Sequence, residues 1–214
     1  MTIIYSSKEL RERHPTDFYP TPLEFCRAAL DLVPMSRTAA LVLDPGAGKG
    51  PWGQALKEIN PDSYIMGIEI EPELQPPWYD SWSQNDFLEL PGYGVNFDLV
   101  IGNPPYRYAE KFIRQSFKML GKGGHILFLL RLAFLESQER YFGLWKDHKP
   151  LKVWTCARRP SFTGNGKTDS TAYAVYLWSK EKFEGDTIMD WMYWEYDNGQ
   201  NNRTANQKPE PIGD

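Results

Sequence analysis

Between Ala40 and Leu43 a short apolar run ends on a carboxylate, Asp44, and enters the turn Pro45-Gly46-Ala47-Gly48-Lys49-Gly50. A helical pattern through Trp52, Ala55 and Leu56 follows at once. This is a strand, a glycine-rich turn and a helix in succession, and glycines at such a turn let the backbone approach a ligand closely. The G-x-G-x-G spacing differs from the dinucleotide fingerprint G-x-G-x-x-G, and no Gly-Lys-Ser/Thr closes it as in a phosphate loop. A carboxylate at the strand end suits a ligand that carries a cationic amino group rather than a pyrophosphate. The residues alone also fit an ordinary glycine-rich turn.

The rest of the chain repeats the alternation. A helix is expected from Thr21-Pro22-Leu23-Glu24 to a stop near Pro34, with Thr21 as cap, Pro22 in the first turn and Glu24 completing a capping box. Strands are expected at Tyr64–Ile70, briefly before Asp86, at Phe97–Ile101 and at His125–Leu130, with an amphipathic helix over 109–120 that stops at Gly121. Leu151–Cys156 and Thr171–Trp178 read as antiparallel neighbours, and Ile188–Tyr196 as an added strand at the sheet edge. The pattern predicts an α/β fold: a Rossmann-like sheet of seven strands, mostly parallel with one antiparallel strand, and helices on both faces. Residues 1–197 are expected to form one domain, with an arm at 1–16 that includes a short helix at Lys8–Arg13. The polar tail 198–214 is expected to be disordered.

Charge is distributed unevenly. Residues 107–167 hold thirteen Lys/Arg against four Asp/Glu, while the whole chain is −4. A basic half can attract phosphate while the acidic half stays in solvent, although a chance cluster of solvated charges gives the same count. With 41% hydrophobic residues a folded core is expected. No apolar run is long enough to span a bilayer and the first residues lack the apolar stretch of a signal peptide, so a cytoplasmic protein with no membrane partner is expected. The two cysteines, Cys26 and Cys156, lie outside any zinc spacing and are expected to be buried free thiols; no metal site is expected.

The most specific segment is Asn103-Pro104-Pro105-Tyr106, directly after the apolar strand Phe97–Ile101. An aryl amine is a poor nucleophile because its lone pair is delocalised into the ring. An Asn103 side-chain oxygen and a Pro104 carbonyl can each accept one amine hydrogen, which localises density on nitrogen as it attacks. Prolines hold the carbonyls in a fixed direction, and Tyr106 offers a face for a planar base. Together with the glycine turn, this tetrapeptide resembles that of S-adenosylmethionine-dependent methyltransferases acting on planar nitrogens. The order of motifs resembles the gamma-like adenine-N6 DNA methyltransferases, over about residues 15–180. The pattern is most similar to compact methyltransferases carried by phages and prophages.

The resemblance implies roles for particular residues. Tyr19, Thr21 and Pro22 match the N-terminal segment that closes over the methionine end of the cofactor, though a plain capped helix start looks the same. Asp44, Gly46 and Gly48 match the cofactor loop. Glu69, with Glu71 as substitute, matches the acid that accepts the ribose hydroxyls. Asp86 and Phe87 match the segment that meets the adenine. Asn103, Pro104, Pro105 and Tyr106 match the catalytic tetrapeptide. Phe162, in Arg158-Arg159-Pro160-Ser161-Phe162-Thr163-Gly164, matches an aromatic that holds a flipped base, and fits a core residue equally well. The implied cofactor is S-adenosylmethionine and the implied partner is double-stranded DNA with its target base flipped. Such enzymes usually add a target-recognition domain. No large one is expected in this chain, so specificity is expected from short loops at 131–150 or 158–170 or from the tail; otherwise it comes from a partner subunit or oligomer, or is weak. Methylation of cytosine N4, of RNA or of a protein glutamine remains open, as does a non-catalytic supporting subunit. Cytosine C5 chemistry is disfavoured because neither cysteine follows a proline.

Overall fold

Side chains along the central strands alternate between two apolar layers, which is why the sheet is covered on both faces. In β1 (Leu41–Pro45), Val42 packs in a layer with Phe25, Leu30, Trp52 and Leu56. Its neighbour Leu43 packs in the opposite layer with Phe112, Ile113 and Phe117. In β5 (Leu120–Arg131), Leu127 and Leu129 join the first layer, and Ile126, Phe128 and Leu130 the second. The computed structural model describes residues 20–71, 76–92, 94–162 and 170–196.

The remaining described strands are β2 (Tyr64–Glu69), β3 (Ser81–Gln84), β4 (Phe97–Gly102), β6 (Lys152–Cys156), β7 (Tyr173–Ser179) and β8 (Ile188–Met192). They form one sheet in the order β3-β2-β1-β4-β5-β7-β6-β8. All pairings are parallel except those of β7 with β5 and with β6, so β7 is the one antiparallel strand. The helices are α1 (Leu23–Asp31), α2 (Pro51–Ile59), α3 (Ala109–Met119) and the short α4 (Gln138–Phe142) and α5 (Leu144–Asp147). From β1 the chain builds outward through β2 and β3, then returns to place β4 on the other side of β1. That reversal leaves a crevice beyond the carboxyl ends of β1 and β4, where α/β sheets bind ligands.

The expected Rossmann-like α/β fold is correct, with two local corrections. To the seven strands β8 adds the expected edge strand, pairing with β6 from Lys152↔Ile188 to Cys156↔Met192. Gly121 does not stop a helix. Leu120 already has extended backbone and pairs with Phe97, so α3 runs straight into β5. Thr21 does not cap α1 either. Pro22 occupies the cap position, no side chain bonds there, and the Cys26 amide donates to the Pro22 carbonyl. The arm at 1–16 with its helix at Lys8–Arg13, Tyr19, loop residues 163–169 and the tail 198–214 lie outside the described residues. Both cysteines are buried free thiols, and burial pushes the Cys156 thiol up to about 12. Among the described residues no helix is long and apolar enough to cross a membrane.

Candidate functional site

The carboxyl ends of β1, β2 and β4 open onto a cavity of about 510 Å³, within the range of small-ligand sites. Its wall on one side comes from Gly46, Ala47, Gly48 and Lys49 of the glycine turn, Glu69 and Glu71 at the end of β2, and Asn85, Asp86 and Phe87 after β3. On the other side stand Asn103, Pro105, Arg107, Tyr108 and Lys111, and Pro20 and Thr21 close a third edge. These stretches of chain are far apart in sequence and meet through the parallel sheet.

The glycine turn is wired to β2. The Gly46 and Ala47 amides both donate to the Ile68 carbonyl, at 2.7 and 3.0 Å. The Gly48 amide donates to Glu69 Oε2 at 2.8 Å. Glu69 Oε1 accepts from the Ile70 and Glu71 amides at 2.8 and 3.2 Å. Three consecutive loop amides are therefore satisfied inside the protein. A phosphate loop instead keeps its amides for the anion, so the turn presents a surface to its ligand rather than an anion cradle. Glu69 is a buried brace with both oxygens engaged, while Glu71 also lines the cavity. Asp86 Oδ1 accepts from the Leu88 amide at 2.8 Å and starts the 3₁₀ turn Phe87–Glu89. The Phe87 ring rests against Phe112, centroids 5.0 Å apart.

Asp44 stands behind this wall and is not among the lining residues. It is fully buried and its Oδ2 accepts from the Tyr79 hydroxyl at 2.7 Å. Burial pushes its carboxyl up to about 7, against the lowering effect of the Tyr79 hydrogen bond. Two glycines make this packing possible. Gly50 has φ +81°, and a Cβ there would lie 2.9 Å from the Tyr79 ring. Gly102, at the end of β4 with φ +151°, would set a Cβ 2.9 Å from Asp44 Oδ1. Asp44 Oδ1 and Trp52 Nε1 are buried polar atoms with no hydrogen-bond partner among the described residues.

The tetrapeptide side is built from rings. Tyr106 lies between the Arg131 guanidinium, 5.0 Å from its ring centre, and Tyr173, centroids 5.7 Å apart. Phe162 packs edge-on against Tyr173 at 5.1 Å and is nearly buried, in the core layer rather than in the cavity lining. Pro104 and Tyr106 are likewise outside the lining, and Pro22 sits at the start of α1. The late loop is braced from the C-terminal side: the Ser161 amide donates to Tyr196 Oη at 2.9 Å, and Trp194 Nε1 donates to the Arg158 carbonyl at 2.8 Å. Sequence reading missed Trp52, Tyr79, Arg107, Tyr108, Lys111 and Arg131. Arg107 and Tyr108 follow the tetrapeptide directly, so proximity was a usable signal. Tyr79 and Arg131 reach the site only through strand pairing.

No protein-family model matches the chain. A Type II methyltransferase of Thermus thermophilus is 38% identical over 203 residues, covering 69% of this chain and 47% of that protein. The chain thus spans about half the length of the curated relative it matches. Among solved structures, a predicted O-methyltransferase of Agrobacterium tumefaciens superposes with a TM-score of 0.56 at 18% identity, over 78% of this chain and 85% of that one. TrmN of Thermus thermophilus superposes with a TM-score of 0.53 at 17% identity, over 73% and 48%. At these identities the structural likeness speaks to architecture: the chain has the Rossmann-like methyltransferase fold.

Proposed function

We propose that the chain transfers a methyl group from S-adenosylmethionine to the exocyclic N6 amine of adenine in DNA. The observation that carries the reading is the meeting of two distant segments in one cavity: the glycine turn after β1, and Asn103 and Pro105 after β4. A cofactor wall and an amine-binding tetrapeptide at adjacent strand ends are what methyl transfer to a planar nitrogen requires. The 38% identity to a Type II methyltransferase supports the same reading.

The residues present fit the cofactor. The turn has spent its amides internally, which suits a ligand without a pyrophosphate. Glu69, Glu71 and Asp86 give that end of the cavity the acidic character a ribose and an adenine amine would use. The orphaned buried atoms of Asp44 and Trp52 lie in the segments that flank the turn. When bound, S-adenosylmethionine supplies a methyl group on an electrophilic sulfonium. The chain's part is to hold the turn through Glu69, to meet the adenine through Asp86 and Phe87, and to close over the cofactor with Tyr19, Thr21 and Pro22. Asp44 acts from behind, by fixing Tyr79 against Gly50. On the substrate side the Asn103 oxygen and the Pro104 carbonyl accept the amine hydrogens, and Tyr106 stacks the flipped base while Phe162 backs it through Tyr173. Residues 1–197 then act as one catalytic domain, in the cytoplasm, with duplex DNA as partner.

The test is to incubate the protein with labelled cofactor and unmethylated DNA, RNA or protein extract, digest the products and identify the labelled species. N6-methyladenine from DNA is expected. Label in cytosine, RNA or glutamine would move the reaction to that substrate, and no label anywhere would leave a supporting subunit.

A further inference from the structure

Arg131 is a cation that the fold holds in place and leaves unneutralised. It is the last residue of β5, pairs with Tyr173 of β7, and its carbonyl accepts from the Tyr176 hydroxyl at 3.1 Å. Its backbone is thereby fixed beside β4, the strand that leads into the tetrapeptide. The guanidinium lies 5.0 Å from the centre of the Tyr106 ring. Among the described residues it forms no ion pair with a carboxylate. Its buried Nε has no hydrogen-bond partner there either. By contrast, Arg114 pairs with Glu110 and Asp147, and Arg140 donates to the Phe134 and Glu136 carbonyls. A ring attracts a cation without cancelling its charge, and a desolvated donor left unpaired is costly. An anionic acceptor brought by a ligand would answer both. Arg131, like Tyr106, is outside the lining of the cofactor cavity, so that ligand is the substrate rather than the cofactor. The base of a nucleotide is neutral, and its phosphodiester is the anion that a guanidinium meets with paired N–H donors.

We propose that Arg131 binds a phosphodiester flanking the target adenosine. This rests on the reading of the chain as a DNA methyltransferase and adds the residue that grips the target nucleotide by its backbone. A base that stacks on Tyr106 carries its own flanking phosphates with it, so one nucleotide meets both the ring and the guanidinium beside it. The contact fixes position and reads no sequence.

The experiment is a cycle between protein and DNA at saturating cofactor. The wild type, Arg131→Met and Arg131→Lys methylate a duplex with one mapped target adenosine, and the same duplex with a neutral methylphosphonate at either linkage flanking it. Arg131→Met should raise KM for the unmodified duplex roughly 10–100-fold, the worth of one hydrogen bond to a charged group. The change in kcat should be far smaller, because the contact is made equally before and during the reaction. In the wild type one of the two methylphosphonates should raise KM by a similar factor. Combined with Arg131→Met it should add almost nothing. Arg131→Lys keeps the charge without the fork and should retain part of the coupling. A methylphosphonate far from the target adenosine should not couple to Arg131 at all. Losses that multiply at both flanking linkages overturn the assignment. So does a loss of cofactor affinity in Arg131→Met, read by calorimetry, which would make Arg131 a structural residue. A wild type that does not methylate DNA overturns the functional reading itself, and this contact with it.

Discussion

The two walls of the cavity are held by different forces. On the glycine-turn side, Glu69 and Asp86 bond backbone amides, and the Ile68 carbonyl accepts two more. On the tetrapeptide side, Tyr106, Tyr173, Phe162 and Arg131 touch through ring faces and edges. Hydrogen bonds to a buried carboxylate are directional and cost about 1.5–3 kcal/mol each to lose. Ring contacts are softer, about 0.5–1.5 kcal/mol beyond their buried area, and tolerate adjustment. The first wall is thereby part of the fold, and the second is held by the more adjustable contacts. Substitutions on the first should change stability and ligand affinity together, and on the second turnover or substrate binding alone.

The sharpest separation is expected for Asn103→Ala. It should lower single-turnover methylation by roughly 10²–10³-fold, by analogy with removing one oxyanion-hole donor, while the melting temperature and cofactor affinity hold. If cofactor binding collapses too, the two walls are not independent. Glu69→Ala comes next. It strips the acceptor from three amides, so cofactor affinity should fall by roughly 1.5–3 kcal/mol with a clear drop in melting temperature. Intact stability would show that the turn does not depend on that brace.

Tyr106→Ala should weaken DNA methylation by about 1–3 kcal/mol, the worth of one base stacked on an aromatic ring. Its melting temperature should fall less than that of Glu69→Ala, and Tyr106→Phe should be mild in both assays. Equal losses in the two Tyr106 variants would assign the effect to the hydroxyl. The smallest effect is a pH dependence. Folded Asp44 titrates near 7 because it is buried, and an unfolded aspartate near 3.9. Between those values the folded chain binds more protons than the unfolded one, so this group's contribution falls as pH rises from about 4 to about 7 and is flat above. Asp44→Asn removes that slope. Thermal melts at pH 5 and pH 8 should show a gain of at least about 1 kcal/mol at pH 8, roughly 2–4 °C, and less at pH 5. A gain that is equal at both pH values would mean Asp44 does not titrate in the folded protein.

The β1–turn–α2 unit, the alternation of strand and helix, and the run from Phe97 to Tyr106 were legible because each rests on contacts between near neighbours in the chain. Periodicity of two or 3.6 and glycine at a positive φ are local constraints, so they are written locally. Residue identity likewise singled out Glu69 and Asp86 at strand ends that line the cavity. Their partners were not legible. Glu69 braces the turn, Asp44 is turned inward to Tyr79, and Phe162 lies in the core. Arg131 reaches Tyr106, and Lys111 shares the Tyr108 ring with Arg107. Each of these depends on strand order and register. Those are decided by how whole layers bury their apolar faces, and no window of neighbouring residues contains that information.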